Sequence, residues 1–318
     1  MGRSIRLRNF LPLFIALLPV SYSCSCGTSS AGIAQGPEQF DQARAWSLLE
    51  RIVAVGPRPS GTPKIEKLID LMEAELKSYG LAPIRETFED KTPIGPLTFT
   101  NLYVDLEGET ADGSPAPMVV ICTHFDTKRM SFPFVGANDG GSGTAVLLEL
   151  ARILAERKAP VTYRLLFLDG EESILPDWRD PDNRYGSRYH VAQLRATGLV
   201  HRVKACVLID LVGDKELRFM TELNSDRRLL AMFFDAAKGA GLGRHVNGRR
   251  QEIKDDHLSF MAADIPSIDL IDLDYGPGNR FWHTPDDTLE NCSAASLGAT
   301  GKIVLLGLPA VEEWVGGR

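Results

Sequence analysis

Three short apolar runs, each followed at once by acidic or imidazole side chains, constrain the fold of this chain more than any other feature. Residues 116–123, 163–168 and 205–209 are nearly continuous apolar stretches of strand length. Such runs are typical of strands buried on both faces of a parallel sheet. Ligands in open α/β sheets bind outside the carboxyl ends of the strands, so we expect the polar groups that follow the runs to share one site.

Helical periodicity alternates with these runs. Apolar residues recur at helical spacing in five segments, 43–55, 65–79, 145–155, 229–240 and 297–315. Further strands are expected at 97–106, taken as the first strand of the sheet, and at 217–220 and 266–273. The alternation predicts one α/β domain with three layers, α/β/α, around a mostly parallel central sheet.

Composition limits the classes of partner. The 318 residues are 44% hydrophobic and 24% charged, which is enough chain and enough apolar material for one large core. The formal net charge is −7, and this excludes nucleic acid as an expected partner because a polyanion would be repelled.

A metal centre is the chemistry that the polar groups favour. Asp139, Glu172 and His283 together offer two oxygens and one nitrogen, the ligand set of a zinc ion with a fourth position open. Glu171 and Glu172 are adjacent at a strand end, where two carboxylates are costly to hold together without a cation. Asp139 alone, in Asn138-Asp139-Gly140-Gly141, fits a turn equally well, so the prediction rests on the joint pattern.

Long loops around the expected site carry aromatic side chains. Trp178, Tyr275 and Trp282 lie in or beside these loops and are expected to line a small apolar pocket over the metal. The alternative is that they cap the core by ordinary packing. Cys122, Cys206 and Cys292 have no regular spacing, and the first two fall in apolar runs, so no disulfide framework is expected.

Finer motifs resemble a known family over roughly residues 40–315. The chain is similar to the zinc aminopeptidase superfamily and, within it, to the glutaminyl-peptide cyclotransferases. The segments that carry the resemblance are Thr123-His124-Phe125-Asp126-Thr127-Lys128, Phe167-Leu168-Asp169-Gly170-Glu171-Glu172, Tyr185-Gly186-Ser187-Arg188, Asp210-Leu211-Val212-Gly213, Asp255-Asp256-His257 and Trp282-His283-Thr284.

The resemblance implies a reaction and a role for each matched residue. The activity would be conversion of the N-terminal glutamine of peptides to pyroglutamate with release of ammonia. One zinc ion would be held by Asp139, Glu172 and His283. Glu171 would act as acid and base, and Asp210 with Asp255 would form a carboxyl hydrogen-bond network beside it. His124 and Asp126 would be structural supports or, with two metals, part of a second metal site.

Two other functions stay open at this stage. A two-zinc aminopeptidase would use His124 and Asp210 to complete a second site, and every ligand that it needs is present. A metal-free binding relative is the third class, although such a relative would be expected to have lost a ligand. Departures from the cyclotransferase pattern are Asp269 in place of a histidine, Ser259 in place of a proline, and Thr144 where animal members carry a cysteine. His257 fits either a pocket wall or a helix start.

The N-terminus has the pattern of an export signal. Arg3, Arg6 and Arg8 precede the apolar run 10–20, so residues 1–26 are expected to be a signal. A flexible linker, 27–38, and one zinc-dependent catalytic domain, 39–318, would follow. The expected location is outside the cytoplasm: periplasmic, secreted, or anchored to the cell envelope through a lipid on Cys24 or Cys26. The sequence leaves the oligomeric state open.

Overall fold

The computed structural model describes residues 1–2 and 36–316. The predicted export signal, apart from its first two residues, and most of the predicted linker therefore lie outside the described part. The chain divides into two units, Met1–Ala34 and Gln35–Arg318. In the second unit, Pro37–Gln39 forms a single turn of 3-10 helix.

The described residues form eight strands, which in chain order are β1 Ile84–Thr92, β2 Gly95–Leu106, β3 Met118–His124, β4 Thr162–Leu168, β5 Val203–Asp210, β6 Thr221–Glu222, β7 Arg250–Gln251 and β8 Ser267–Ile271. The central sheet contains six of them in the order β1-β2-β4-β3-β5-β8. Strands β4, β3, β5 and β8 are parallel neighbours, whereas β1 and β2 add an antiparallel edge. The short strands β6 and β7 form a separate parallel pair.

Helices cover both faces of this sheet. They are α1 Gln42–Ala54, α2 Pro63–Ser78, α3 Gly143–Leu154, α4 Tyr185–Ala196, α5 Arg227–Gly239, α6 His257–Met261 and α7 Ala294–Gly316. Side chains of α1, α2, α3, α5 and α7 pack with one set of strand residues, which includes Val119, Ile121 and Val207. Side chains of α4 and α6 pack with the alternate set, which includes Val120, Cys122 and Leu208. Alternation along the strands thus makes the three predicted layers.

Two strand predictions were wrong. The sheet begins with β1, ahead of the predicted first strand, and β1 has only Phe88 buried among its nine residues. An exposed edge strand leaves no apolar run to detect. The segment 217–220 is not a strand, because β6 starts at Thr221. Its residues Leu217, Phe219 and Met220 are nevertheless buried. The apolar pattern of this segment therefore indicated burial correctly but not strand pairing.

The last helix closes the core. By length and composition α7 is apolar enough to cross a membrane, but 67% of that apolar stretch is buried inside the protein. Its buried residues Leu297, Ile303 and Leu308 belong to the main core with the helices α1, α3 and α5. A core helix of an α/β domain accounts for this apolar composition.

Candidate active site

The three predicted metal ligands meet at the carboxyl end of the parallel strands. His283 Nε2 lies 3.1 Å from Asp139 Oδ2 and 3.0 Å from Glu172 Oε1. Asp139 sits in the turn between β3 and α3, Glu172 follows β4, and His283 comes from the loop between β8 and α7. One ligand atom from each residue lies within 4.8 Å of the others, so the three can hold one metal ion.

The residues present fit a zinc ion. Asp139 Oδ2 is buried and accepts no hydrogen bond of good geometry from the described residues, so its lone pairs are left for another partner. Burial alone would lower the pKa of His283, but the charges of Glu172 and Asp139 raise it to about 10. The position beside this ring therefore favours positive charge. Two carboxylates and an imidazole are ligands that zinc takes in a catalytic site.

A tight turn carries Asp139 to its place. Gly140 has φ +73°, and a Cβ atom added there would lie 2.6 Å from the carbonyl oxygen of Asp126. The glycine is required both for the left-handed backbone and for this close approach. Thr144, the residue that replaces a family cysteine, donates a hydrogen bond to the Gly140 carbonyl at 2.6 Å and holds the end of the turn.

Asp287 fixes the same turn from the other side. Its carboxylate accepts hydrogen bonds from the backbone N–H of Asn138 at 2.7 Å and of Asp139 at 3.1 Å. Burial and the nearby charge of Asp139 raise the pKa of Asp287 to about 7. Sequence reasoning did not single out Asp287. Its position four residues after His283, in the same polar loop, was the only signal for it.

Asp126 holds the backbone of Glu171 and Glu172 in place, as Asp287 holds that of Asp139. Its Oδ1 accepts from the backbone N–H of Glu171 at 3.2 Å, and its Oδ2 accepts from that of Glu172 at 3.3 Å. Asp126 is buried and does not belong to either cluster of possible metal ligands. The structure therefore places it as a support of the Glu171-Glu172 backbone, one of the two alternatives expected for it.

His124 is the centre of a second cluster. Its Nε2 lies 3.2 Å from Asp139 Oδ1 and 3.1 Å from Asp210 Oδ1, and these three residues are also close enough to hold a metal ion. Asp139 thus presents one oxygen to each cluster. Burial alone would lower the pKa of His124, but hydrogen bonds with the carboxylates of Asp126, Asp139 and Asp210 raise it well above the usual range.

Glu171 opens on the same cavity as the ligands and is nearly buried. Burial raises its pKa well above the usual range, and the charges of Glu172 and Asp255 add to the effect. Asp255 is raised in the same way by burial and by the charge of Asp210. The carboxyls therefore disfavour one another's ionised forms, which keeps a proton available among them.

Asp210 and Asp255, which the resemblance places in a carboxyl hydrogen-bond network, have different hydrogen-bond partners in the structure. Asp210 Oδ1 is paired with His124 Nε2, whereas Asp255 Oδ1 accepts from the backbone N–H of Asp256 at 2.5 Å. Both line the cavity, so they influence each other through charge.

The cavity has a volume of about 310 Å³ and is walled in part by Trp178 and Trp282. Trp282 stacks on the ring of His283, with centroids 4.1 Å apart, and remains partly exposed. Tyr275 does not line the cavity, which corrects our expectation. It is fully buried, and its hydroxyl donates a hydrogen bond to Asp287 at 3.1 Å. Tyr275 thus acts behind the site, where it supports the residue that fixes Asp139.

Two buried cations near the site were missed by sequence reasoning. Lys128 lines the cavity, donates to the carbonyl oxygen of Ser173 at 2.9 Å and lies 3.5 Å from Glu172 Oε2. Arg58 is fully buried and donates to the carbonyl oxygens of Phe125 at 2.7 Å and Gly136 at 2.9 Å. An arginine in a turn-rich loop is normally exposed, so only the tertiary structure reveals this role.

His257 does not line the cavity. It begins α6 and is fully buried, with Nε2 3.4 Å from Glu222 Oε2. Asp269, which replaces a family histidine, is also fully buried and lies 3.9 Å from His257 Nδ1. Of the two positions expected for His257, a pocket wall or a helix start, the structure shows the helix start.

Comparison with known proteins agrees with this geometry. Residues 101–307 match the model of Peptidase family M28. A glutaminyl-peptide cyclotransferase-like protein from Bos taurus is 31% identical over 294 residues, covering 80% of this chain and 71% of the relative.

Solved structures give the same result. A glutaminyl cyclase from an Acidobacteriales bacterium superimposes with a TM-score of 0.81 at 32% identity, covering 86% of this chain and 95% of that one. A Zn-dependent exopeptidase from Parabacteroides distasonis superimposes with a TM-score of 0.73 at 26% identity, covering 84% and 97%. The chain therefore belongs to peptidase family M28 and, within it, to the glutaminyl-peptide cyclotransferases.

Proposed function

We propose that this protein converts the N-terminal glutamine of peptides to pyroglutamate and releases ammonia, with one zinc ion held by Asp139, Glu172 and His283. The observation that carries the proposal is the position of Glu171. This carboxyl, whose pKa is raised, opens on the same 310 Å³ cavity as the three ligands. A proton carrier and a metal centre thus face one substrate.

The reaction needs a bond exchange within a single residue. The α-amine nitrogen of glutamine forms a bond to the carbonyl carbon, Cδ, of its own side-chain amide, and the bond from that carbon to the amide nitrogen breaks. Because the amine is tethered to its target, the effective molarity reaches about 10⁵ M when the two are well oriented. A cavity of about 310 Å³ is at the small end of ligand sites and suits one folded-back side chain.

Glu171 moves the proton in this scheme. Its carboxylate takes a proton from the attacking α-amine and delivers it to the departing nitrogen, which leaves as ammonia. A carboxyl suited to both steps has a pKa near the working pH, and burial with Glu172 and Asp255 nearby raises the pKa of Glu171 in that direction. Asp210 and Asp255 would contribute by keeping negative charge around it.

The metal supplies electrophilic chemistry when bound. Asp139, Glu172 and His283 would hold a zinc ion, which would supply Lewis acidity toward the side-chain carbonyl group of the substrate. Lys128 lies 3.5 Å from Glu172 Oε2, the oxygen that does not face His283. Lys128 thereby holds Glu172 in one orientation, with Oε1 toward the site.

A two-zinc aminopeptidase is the second candidate, and one observation favours it. His124, Asp139 and Asp210 approach closely enough to hold a second ion next to the first. Paired metals of this kind generate a hydroxide that attacks a peptide bond. The cyclotransferase names of the similar proteins favour cyclisation, and the metal count separates the two functions.

A paired assay tests the proposal. The purified chain would be incubated with a peptide that begins with Gln and one that begins with Leu, with and without a chelator, and its zinc content would be measured on the same sample. We expect ammonia from the Gln peptide only, loss of activity with chelator, and about one zinc per chain. Release of free leucine together with two zinc ions per chain would instead establish the aminopeptidase.

We further propose that the protein is exported. The basic residues Arg3, Arg6 and Arg8 ahead of the apolar run 10–20 support a cleaved signal. Mass spectrometry of the mature protein is expected to find an N-terminus near residue 24–27, and a mass increase on Cys24 or Cys26 would identify a lipid anchor. Recovery of the uncleaved chain in the cytoplasm would contradict export.

A further inference from the structure

One edge of the cavity is the segment that leads from β7 to α6. The wall of the cavity includes Gln251, the last residue of β7, and Glu252, Ile253 and Lys254, which follow it and lead to Asp255. The cavity therefore runs from the proposed metal and proton-carrying groups to a segment in which Glu252 and Lys254 are exposed. This edge has no role in the chemistry described so far.

Alternate residues of this segment form hydrogen bonds with β6 and the residues that follow β6. Backbone N–H groups of Thr221 and Leu223 donate to the carbonyl oxygens of Arg249 and Gln251, each at 3.0 Å. The N–H of Ile253 donates to Glu222 Oε1 at 3.0 Å. The carbonyl of Ile253 in turn accepts from Asn224 Nδ2 at 3.1 Å. The carbonyl oxygens of residues 249, 251 and 253 thus all accept hydrogen bonds from β6 and the residues that follow it.

The intervening residues point the other way. In a parallel ladder the backbone groups of alternate residues face opposite sides, so those of Arg250, Glu252 and Lys254 face away from β6. In the part of the chain that the structure describes, Glu252 and Lys254 make no backbone hydrogen bond, and Arg250 makes none outside the ladder of β6 and β7. All three are exposed, and Glu252 and Lys254 line the cavity.

The edge is held rigid by a buried carboxylate. Glu222 is almost fully buried, and it accepts from the N–H groups of Asn224 at 3.0 Å, Ser225 at 2.6 Å and Ile253 at 3.0 Å. Glu222 thus ties the middle of the segment, at Ile253, to the residues that follow β6. A preorganised edge binds an extended chain with less loss of entropy than a mobile loop does.

We propose that the segment Arg250–Lys254 binds the backbone of the substrate peptide beyond its N-terminal glutamine, as an added β-strand. The inference rests on the proposed function, because a glutamine seated at the metal centre directs the rest of its chain out of the same cavity. Five extended residues span about 13 Å between their first and last Cα atoms, so a segment of this length can pair with the four substrate residues that follow the glutamine in a pentapeptide. Main-chain pairing of this kind is a common mode of peptide recognition.

The pairing has a consequence for specificity. Hydrogen bonds to the substrate backbone do not depend on its side chains, so peptides that differ at residues 3 and 4 would be bound alike. Recognition would then depend on the N-terminal glutamine in the cavity and on the extended shape of the following residues. Binding at this edge would therefore depend on the length of the substrate peptide and not on the identity of its side chains.

Ester substitution in the substrate tests the pairing on the unaltered enzyme. A series of Gln-Ala-Ala-Ala-Ala peptides would each carry one ester in place of one amide, from residue 3 onward. A paired amide replaced by an ester is expected to lower kcat/KM about 3- to 10-fold, since one backbone hydrogen bond is lost. Losses should alternate along the peptide, because only every second amide faces the edge. Equal values across the series would overturn the proposal.

A proline variant tests the protein side of the same contact. Glu252→Pro removes the N–H that faces outward but leaves the contacts made by residues 249, 251 and 253. We expect it to lower the ratio of kcat/KM for the pentapeptide to that for Gln-Ala by about tenfold. Glu252→Ala, which keeps the N–H, is the matched control and should preserve the ratio.

The outcomes separate the two proposals. Failure of the proposed function would appear as no ammonia from either the dipeptide or the pentapeptide. Failure of the strand pairing alone would appear as ammonia from both, with an unchanged ratio in Glu252→Pro and no alternation among the esters. If Glu252→Pro does not fold, the ester series on the unaltered enzyme still decides.

Discussion

Asp287 Oδ2 accepts a hydrogen bond from the backbone N–H of Asp139 at 3.1 Å, although 148 residues separate the two in the chain. The contact sets the direction of the Asp139 side chain. It also joins the loop that carries His283 to the turn that carries Asp139. The geometry of the proposed metal centre therefore depends on a residue that is not itself a ligand.

Asp287→Ala is expected to weaken zinc binding about 10- to 100-fold, the usual effect of removing a group that orients a ligand. The neighbouring Asp286 is exposed and its side chain supports nothing at the site, so Asp286→Ala is a matched control. Competition with a chromophoric chelator measures both affinities. Equal affinities in the two variants would show that Asp287 does not orient Asp139.

Glu171→Gln is expected to lower kcat for Gln-initiated peptides by about 10²- to 10⁴-fold, because the amide cannot carry the proton. Zinc content should stay near that of the parent protein, since Glu171 is outside both clusters of possible ligands. Glu109→Gln, at an exposed surface position, is the control. Turnover near the parent rate would remove Glu171 from the mechanism.

His283→Ala is expected to abolish both tightly bound zinc and ammonia release, because it removes the single nitrogen ligand of the proposed centre. Elemental analysis after dialysis against a weak chelator measures the loss. His201→Ala, an exposed position, serves for comparison. If His283→Ala keeps one zinc ion, the metal lies elsewhere, and the cluster of His124, Asp139 and Asp210 is the next place to test.

Asp272 gives the fold a pH dependence that is independent of the metal. The side chain accepts from the N–H of Arg218 at 2.6 Å, and burial raises its pKa from about 3.8 in the unfolded chain to about 7. The folded state thus binds this proton more tightly. The associated stability is present below pH 4 and is lost as the pH rises through 7.

Asp272→Asn should therefore lose less stability than the parent protein between pH 5 and pH 8. Urea midpoints at the two pH values measure the difference, and the exposed Asp235→Asn variant supplies the reference. A parent-like change in the midpoint would show that Asp272 titrates normally.

The described cysteines are expected to remain thiols. Cys122 and Cys206 lie on neighbouring strands with sulfurs 3.6 Å apart, and Cys292 is buried elsewhere in the main core. Alkylation followed by peptide mapping should modify all three after unfolding without reductant and none in the folded protein. A peptide cross-linked through Cys122 would contradict the structure.

The sequence was informative about the central strands and the groups at their ends. Runs 116–123, 163–168 and 205–209 each correspond to a strand of the structure, because burial on both faces leaves a continuous apolar signal. The convergence of Asp139, Glu172 and His283 followed from the rule that such strand ends share one edge.

The supporting residues could not be found in the same way. Arg58 is fully buried, yet its environment consists of backbone carbonyls from residues 125 and 136, and no local pattern encodes such contacts. Tyr275 has the loop position of a pocket residue, but its hydroxyl is drawn inward by Asp287. In both cases the decisive partner is distant in sequence, so only the folded chain determines where the side chain goes.

Asp139 lies before α3, whereas His283 lies only a short distance before the C-terminal helix α7. The proposed coordination site is therefore incomplete until the 144 residues that follow Asp139, up to and including His283, have been synthesised. A polypeptide truncated before His283 would lack one of the three ligands. Capture of an ion at this site would thus have to follow the folding of two segments that are far apart in the chain.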